Sequence, residues 1–537
     1  MAVRKDGEFS RREFLGVGLA GLGLIATGDS FATSADSSSA KGPKISLGPA
    51  ATGTPVRGGT LRVGIITAGE SETIDPMLAL NIPDFVRTIN LFDLMFKQES
   101  YGKVSPGLIE SAEPNADATV WNFRVRDGVV WHDGKKLTAD DIVWTIKNSW
   151  GNTANLQNAV LASIVDFAGV RKVGPRDVRV PLKVGVADFP TVTCSFNCLV
   201  VQEGTKPGSK TVGTGPFVLQ SFTPGAKSVF TANRNYWQQG KPYVDRLVID
   251  SSFSSEATRI NALLSGQLDV VPGIPPSLAQ AYANSRRMVI GNQPGPAFVG
   301  PVFRIDQDPF KDLKVRQALK LIPDRQVFVD SVFGGFASLG NDLCGATNEY
   351  WAADLKNPHD PEKAKFLLKQ AGHENLTLTL ETSAVVPGMN ETATLYAQQA
   401  KLAGVNVKLK VNDPAVYFAP GQGVLTRPLS VTYFGAGTNS LASFYLVALV
   451  ANGVYNESHW GSPEDNALLF KALSETNPEK ATEKWRAVQQ KQLNQGPYII
   501  PANFNYVDGY SLKVRGVQTT PSANCDNFTF AGGWVVQ

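Results

Sequence analysis

Hydrophobic positions recur along this chain with two periods, and the period in force changes several times. Between residues 61 and 66, Leu61, Val63 and Ile65 alternate with Arg62 and Gly64, which predicts a strand. Phe85, Ile89, Phe92 and Phe96 then fall three or four apart, predicting a helix over 84–96 with its rings in the core. From 120 to 126, Trp121, Phe123 and Val125 face one way and Asn122, Arg124 and Arg126 the other, a second alternating strand. Asp127-Gly128 and Asp133-Gly134 mark turns around a short strand at 129–131. Thr138 with Asp141 forms a capping pair for a helix through Ile142, Ile146 and Trp150. The adjacent carboxylates Asp140 and Asp141 are thereby explained by the positive end of a helix rather than by acid–base chemistry.

The later half has a different rhythm. Asp360-Pro361 opens a helix with the apolar stripe Ala364, Leu367, Leu368 and Ala371, and Gly372 closes it. Leu376, Leu378 and Leu380 alternate, residues 391–403 are helical up to Gly404, and Val405, Val407, Leu409 and Val411 alternate again. Strand, helix and strand at this spacing predict a βαβ unit with parallel pairing. Asn477-Pro478 starts a long helix carrying Trp485 and Val488, stopped by Pro497. No self-similarity at solenoid periods is present.

The N-terminal residues follow neither period. Arg4, Lys5, Arg11 and Arg12 precede Phe14-Leu15 and an apolar run over 16–26 broken by Gly16, Gly18, Gly21 and Gly23, with small residues suited to cleavage near Ser30-Phe31-Ala32. The run is shorter than the roughly 20 residues a membrane-spanning helix needs. The paired arginines resemble a twin-arginine export signal, so residues 1–32 are expected to be a cleaved signal and 33–56 a flexible spacer rich in Ser, Ala, Gly and Pro. No cysteine follows the apolar run, so the exported protein is expected to be periplasmic or extracellular without a lipid anchor. Gly16, Gly18 and Gly21 match a dinucleotide-binding pattern, but no strand precedes them and they lie inside the signal.

With 43% hydrophobic and 18% charged residues, the remainder has the composition of a folded soluble chain, and 537 residues predict about three units or two large lobes. Lys plus Arg, 51, nearly balances Asp plus Glu, 48, so no basic face is offered to nucleic acid. Catalytic patterns are missing: there is no Gly-x-Ser-x-Gly elbow and no Walker-type loop, and His373-Glu374 has Thr377 where a zinc-protease helix needs a second histidine. His132, His359, His373 and His459 are scattered without ligand spacing, so neither a metal site nor a cofactor is predicted. The four cysteines of an exported chain suggest disulfides: Cys194 with Cys198 across a small ring, and Cys344 with Cys525 by elimination.

A set of ordered landmarks adds a further reading. Gly59-Thr60-Leu61, Thr73-Ile74-Asp75-Pro76, the stretch from Pro106-Gly107-Leu108 through Trp131-His132-Asp133-Gly134-Lys135 to Trp144, Gly213-Thr214-Gly215-Pro216-Phe217, Asn233-Arg234-Asn235-Tyr236-Trp237, Ser265-Gly266-Gln267-Leu268-Asp269-Val270 and Lys314-Val315-Arg316-Gln317-Ala318-Leu319 together resemble extracellular solute-binding protein family 5, the dipeptide, oligopeptide and nickel binding proteins of ABC importers. The resemblance implies an α/β fold, a two-lobed periplasmic binding protein of type II, cluster C like, with a hinge between lobes. Lobe I would take 57–296 plus 498–537, with an extra subdomain at about 77–210, and lobe II would take 297–497. It implies a monomeric, non-enzymatic receptor that closes around a peptide or peptide-like solute and hands it to permease subunits of an ABC transporter. An opine-like conjugate, an oligosaccharide or a metal chelate is the alternative ligand, and a secreted hydrolase is the alternative class.

The same resemblance names candidate ligand-binding residues. Backbone groups at Leu80, Asn81 and Ile82 correspond to those that pair with an extended peptide. Phe434 corresponds to an aromatic residue that precedes an aspartate binding the peptide ammonium, and here Gly437 stands at the aspartate. A buried ammonium without a counter-charge is costly, which turns the expectation toward ligands lacking a free amine. Gly435, Ala436, Gly437, Thr438 and Asn439 would let a bulky or neutral ligand approach the backbone, while Asn456, His459 and Trp460 form a polar–aromatic cluster able to stack on it.

Overall fold

The computed structural model describes residues 43–99, 103–155, 157–208, 211–414, 416–418, 424–435, 440–451, 453–521 and 523–536. Residues 1–32, expected from the sequence to be an export signal, lie outside the described residues.

Two mixed sheets organise the chain. The first has seven strands in the order Met288–Gln293, Tyr506–Ser511, Val270–Val271, Thr60–Ile66, Arg246–Phe253, Lys227–Ala232 and Phe217–Phe222. Thr60–Ile66 runs parallel to both Arg246–Phe253 and Val270–Val271 and puts Leu61, Val63 and Ile65 into the core. The second has six strands in the order Ala337–Leu339, Ala502–Phe504, Phe298–Phe303, Leu429–Phe434, Thr377–Ser383 and Asn406–Asn412. A smaller four-stranded sheet, Ile109–Pro114, Val120–Val125, Asp177–Pro181 and Arg171–Lys172, is inserted within the first unit. The chain crosses from the first large sheet to the second between Gln293 and Phe298 and returns between Phe504 and Tyr506. Since Ala502–Phe504 pairs with Ala337–Leu339, the return falls at Asn505, beyond the Pro497/Tyr498 boundary expected from the sequence.

The alternating segments of the second half become the expected βαβ unit, with Thr377–Ser383 and Asn406–Asn412 parallel across the helix Met389–Ala400. Asp360 caps Pro361–Gln370 through the Lys363 N–H at 2.9 Å, and Gly372 and Gly404 take positive φ where those helices end. Pro478–Gln495 is capped by Asn477 and buries Trp485 and Val488. Thr138 and Asp141 form the predicted capping box, and Asp140 pairs with Lys172 on the surface.

Three expectations are corrected. The helix predicted over 84–96 spans Ile82–Leu91, and Phe96–Gln98 is a strand. The cause is tertiary: the Gly215 N–H donates to the Leu91 carbonyl at 3.0 Å, and a Cβ on Gly213 would lie 1.8 Å from that oxygen, so the 213–215 segment packs onto the helix end. The spacer is not free over its whole length, because Ser46 pairs with Asn292 on the first sheet's outer strand and Thr519 donates to the Leu47 carbonyl. No disulfide is formed: Cys194, Cys198, Cys344 and Cys525 are all buried thiols. Cys194 points its sulfur at the carbonyls of Phe96 and Pro190, while Cys344 accepts from Gln492 in the second unit and Cys525 accepts from Tyr510 in the first. Burial pushes all four thiols upward, so none is a reactive thiolate.

Candidate functional site

Three of the landmark motifs converge inside the first lobe rather than on its surface. Asp93 accepts from Thr214, Tyr236 and Trp237 at 2.9, 2.9 and 3.1 Å, and its burial pushes the carboxyl upward. His132 bonds the Gly215 carbonyl and accepts from the Gly213 N–H, while Asn233 donates to the Gly215 carbonyl. These residues build the wall against which the helix Ile82–Leu91 ends. Arg87, within that helix and fully buried, pairs with the equally buried Glu72 at 2.8 Å and donates to Ser228 and Ser251, which fixes the helix on the sheet.

The start of this helix is the first candidate ligand surface. Asp84, fully buried, accepts from the backbone N–H of Thr73, Leu80 and Asn81 at 2.7, 3.1 and 3.0 Å. Its pKa is raised by burial, against the lowering effect of those bonds and of Arg87. Ile82 is buried in the first helical turn and the Asn81 carbonyl accepts from Asp84 and Phe85. The N–H groups of Leu80 and Asn81 thus already have a carboxylate partner.

The second candidate surface lies on the other lobe. Phe434 is the last residue of its strand and is buried, with its ring 4.6 Å from Phe444, 5.7 Å from Phe298 and 6.3 Å from Tyr498. Gly435 follows directly, and Ala436, Gly437, Thr438 and Asn439 lie outside the described residues. The antiparallel register sets Phe434 opposite Phe298, Phe298 opposite Asn503 and Asn503 opposite Ser338. Directly opposed residues share a sheet face, so these four side chains form one row beside the crossing segments. The Asn456, His459 and Trp460 cluster is not part of the row. Asn456 donates to the carbonyls of Val450 and Trp460 and accepts from Ser458, and His459 contacts Asp306 at 3.1 Å. All three hold a loop in shape.

The two lobes touch where the inserted subdomain meets the second lobe. Ala187 donates its N–H to the Leu473 carbonyl at 2.7 Å, and the side chain of Asp188 bonds Thr191 and Ser440, the residue that caps Leu441–Ala448. Asp188 keeps partial contact with solvent, yet desolvation in this seam, with Glu349 adding repulsion, pushes its carboxyl up to about 7. Tyr350 is raised to about 12 by burial, then by Glu349 and Asp188. Neither Asp188 nor Asn503 stands out in the sequence; the only local hint at Asp188 is a lone charge ahead of Phe189-Pro190 in an apolar stretch. Among the described residues no group of three or more His, Cys, Asp or Glu could hold a metal ion, and no helix is long and apolar enough to cross a membrane.

Comparison with known proteins decides the family. Residues 103–456 match the family described as bacterial extracellular solute-binding proteins, family 5 Middle. The chain belongs to that family. This solute-binding protein is 26% identical over 457 residues to heme-binding protein A of Haemophilus influenzae, covering 78% of this chain and 82% of the relative. It is 24% identical over 511 residues to a dipeptide-binding protein of Pseudomonas aeruginosa, covering 87% and 94%. Its fold is similar to that of HbpA2 from Haemophilus parasuis, with a TM-score of 0.77, 21% identity and coverage of 89% and 100%. It is also similar to DppA of Helicobacter pylori in complex with the peptide STSA, with a TM-score of 0.73, 19% identity and coverage of 90% and 99%. The two-lobed architecture of the solute-binding protein is that of type II periplasmic binding proteins.

Proposed function

We propose that the protein is the extracytoplasmic receptor of an ABC importer, capturing a peptide or peptide-like solute between its lobes and presenting the closed form to membrane permease subunits. The carrying observation is the family match over residues 103–456 on a chain with two sheets joined by two crossing segments, the arrangement hinge closure requires. Relatives named for dipeptides and oligopeptides support the ligand class. On this reading no bond is made or broken in the cleft, the protein acts as a monomer, and its first 32 residues direct export, with Arg11-Arg12 as a twin-arginine motif.

Glycine at position 437 directs the ligand away from free amino termini, toward blocked, conjugated or neutral compounds. AgaA, in complex with agropinic acid, has a similar fold, which supports keeping ligands other than free peptides in view. Thermal-shift titration with free and N-blocked di- to pentapeptides tests the proposal, since a ligand at 100 times its Kd adds about 2.7 kcal/mol. Stabilisation by blocked peptides is the expected result. Tight binding of free-amino peptides alone refutes the role given to Gly437, and turnover of a bound compound refutes the receptor.

A further inference from the structure

We propose that Asn503 is a ligand-contacting, specificity-determining residue that reads a neutral amide-like group of the solute; the inference rests on the reading of the interlobe cleft as the binding site. Asn503 has no solvent exposure, and neither its Oδ1 nor its Nδ2 has a hydrogen-bond partner. Buried polar side chains in native proteins are paired in the great majority of cases, and a lone unpaired donor or acceptor costs about 1–3 kcal/mol. Here both ends of one amide are unpaired in the same side chain. The neighbouring Asn505 has only its Oδ1 unpaired, since its Nδ2 donates to Asn292 Oδ1 at 2.7 Å across the crossing segment.

Position supplies the second half of the argument. Asn503 lies opposite Phe298, and Phe298 lies opposite Phe434, so the amide shares a sheet face with the aromatic position of the expected ligand site. Phe298 begins its strand directly after the first crossing segment, and Asn503 precedes the second crossing at Asn505. The row therefore sits beside the two segments that join the lobes. Its flank is aromatic, with Phe298, Phe434, Phe444 and Tyr498 in mutual ring contact. A carboxamide in such surroundings offers one acceptor and one donor and no charge. Its complement is a group that also donates and accepts while staying neutral: a peptide amide, a primary carboxamide or an N-acyl group. A site built to hydrogen-bond such a group discriminates against an analogue lacking the donor, because its own acceptor is then left unpaired.

The test compares wild type, Asn503→Leu and Asn503→Ala by calorimetric titration with N-acetyl dipeptide amides and with matched depsipeptides, in which an ester oxygen replaces one amide N–H. Wild type is expected to prefer the amide by about tenfold or more, one lost hydrogen bond's worth, and both variants to bind amide and ester within about twofold of each other. An undiminished amide preference in the variants overturns the proposal. If no peptide binds wild type, the peptide reading fails on its own, and Asn503 is judged on the compound that co-purifies from export-competent cells, identified by mass spectrometry after denaturation. Loss of that compound from both variants supports the contact; equal occupancy, or a wild type carrying none, overturns it.

Discussion

The two surfaces expected to face the solute differ in how their polar groups are satisfied. At the start of Ile82–Leu91 the N–H groups of Leu80 and Asn81 end on Asp84, which is anchored in turn near Arg87. In the row from Phe434 to Ser338, a buried amide has no partner at either end. A surface whose donors are spoken for supplies shape and rigidity. One with unpaired groups supplies selectivity, because its energy depends on what is placed against it. The difference assigns rigidity to the first lobe and ligand discrimination to the second.

The strongest way to break this comparison is to remove the carboxylate that satisfies the first surface. Asp84→Ala strands three backbone N–H groups and leaves Arg87 with less counter-charge, so a loss of about 3–5 kcal/mol in unfolding free energy is expected, read from urea or guanidinium titration. Ligand preference in the surviving folded fraction should not change. A shift in preference with little loss of stability would show the first surface to be the selective one. The second lobe answers oppositely. Asn503→Leu removes two unpaired polar atoms from a dry site and is expected to raise stability by about 1–2 kcal/mol in the same assay; a loss of similar size would mean that the amide has a structural partner.

How far these features can be read from sequence follows the same division. Regular alternation placed the strand Thr60–Ile66 and the βαβ unit correctly, because those faces are set by local spacing. The end of Ile82–Leu91 was not legible, since it is imposed by residues 213–215 far along the chain. The landmark motifs identified the family, but the hub they form around Asp93 appears only when Thr214, Tyr236 and Trp237 are brought together. Leu80 and Asn81 were candidates by correspondence, and nothing local shows that their N–H groups already donate to Asp84. Asn503 is an unremarkable polar residue in a three-residue strand, and its meaning comes from register with Phe298.

The seam between the lobes offers a smaller effect that depends on pH. Asp188, facing Thr191, Ser440, Glu349 and Tyr350, has its carboxyl raised to about 7 where the lobes touch, against 3.8 for a solvated aspartate. The closed form therefore holds a proton that an opened, solvated Asp188 releases between those two values. Closing takes up that proton, so closure is favoured at low pH, weakens as pH rises from about 4 to about 7, and is constant above. Affinity for a neutral blocked peptide is expected to fall several-fold between pH 5 and pH 8, bounded at about tenfold per pH unit by one proton. Asp188→Asn should flatten the profile at its low-pH level. Equal slopes in wild type and variant would place the titrating group elsewhere.

The smallest expected effect tests the interior common to both lobes. An even set of cysteines in an exported chain argued for two disulfides, but Cys344 and Cys525 belong to different lobes and each has its own partner, Gln492 and Tyr510. Cys194 is likewise engaged with the Phe96 and Pro190 carbonyls. Dithiothreitol is therefore expected to leave the Tm unchanged, whereas loss of a native disulfide typically costs about 2–5 kcal/mol. Thiol titration should find no reactive group in the folded protein and all four after denaturation without reductant. Only two titrating thiols in the denatured chain would restore one disulfide. A covalent tie of Cys344 to Cys525 would also hold the two lobes together and oppose their opening.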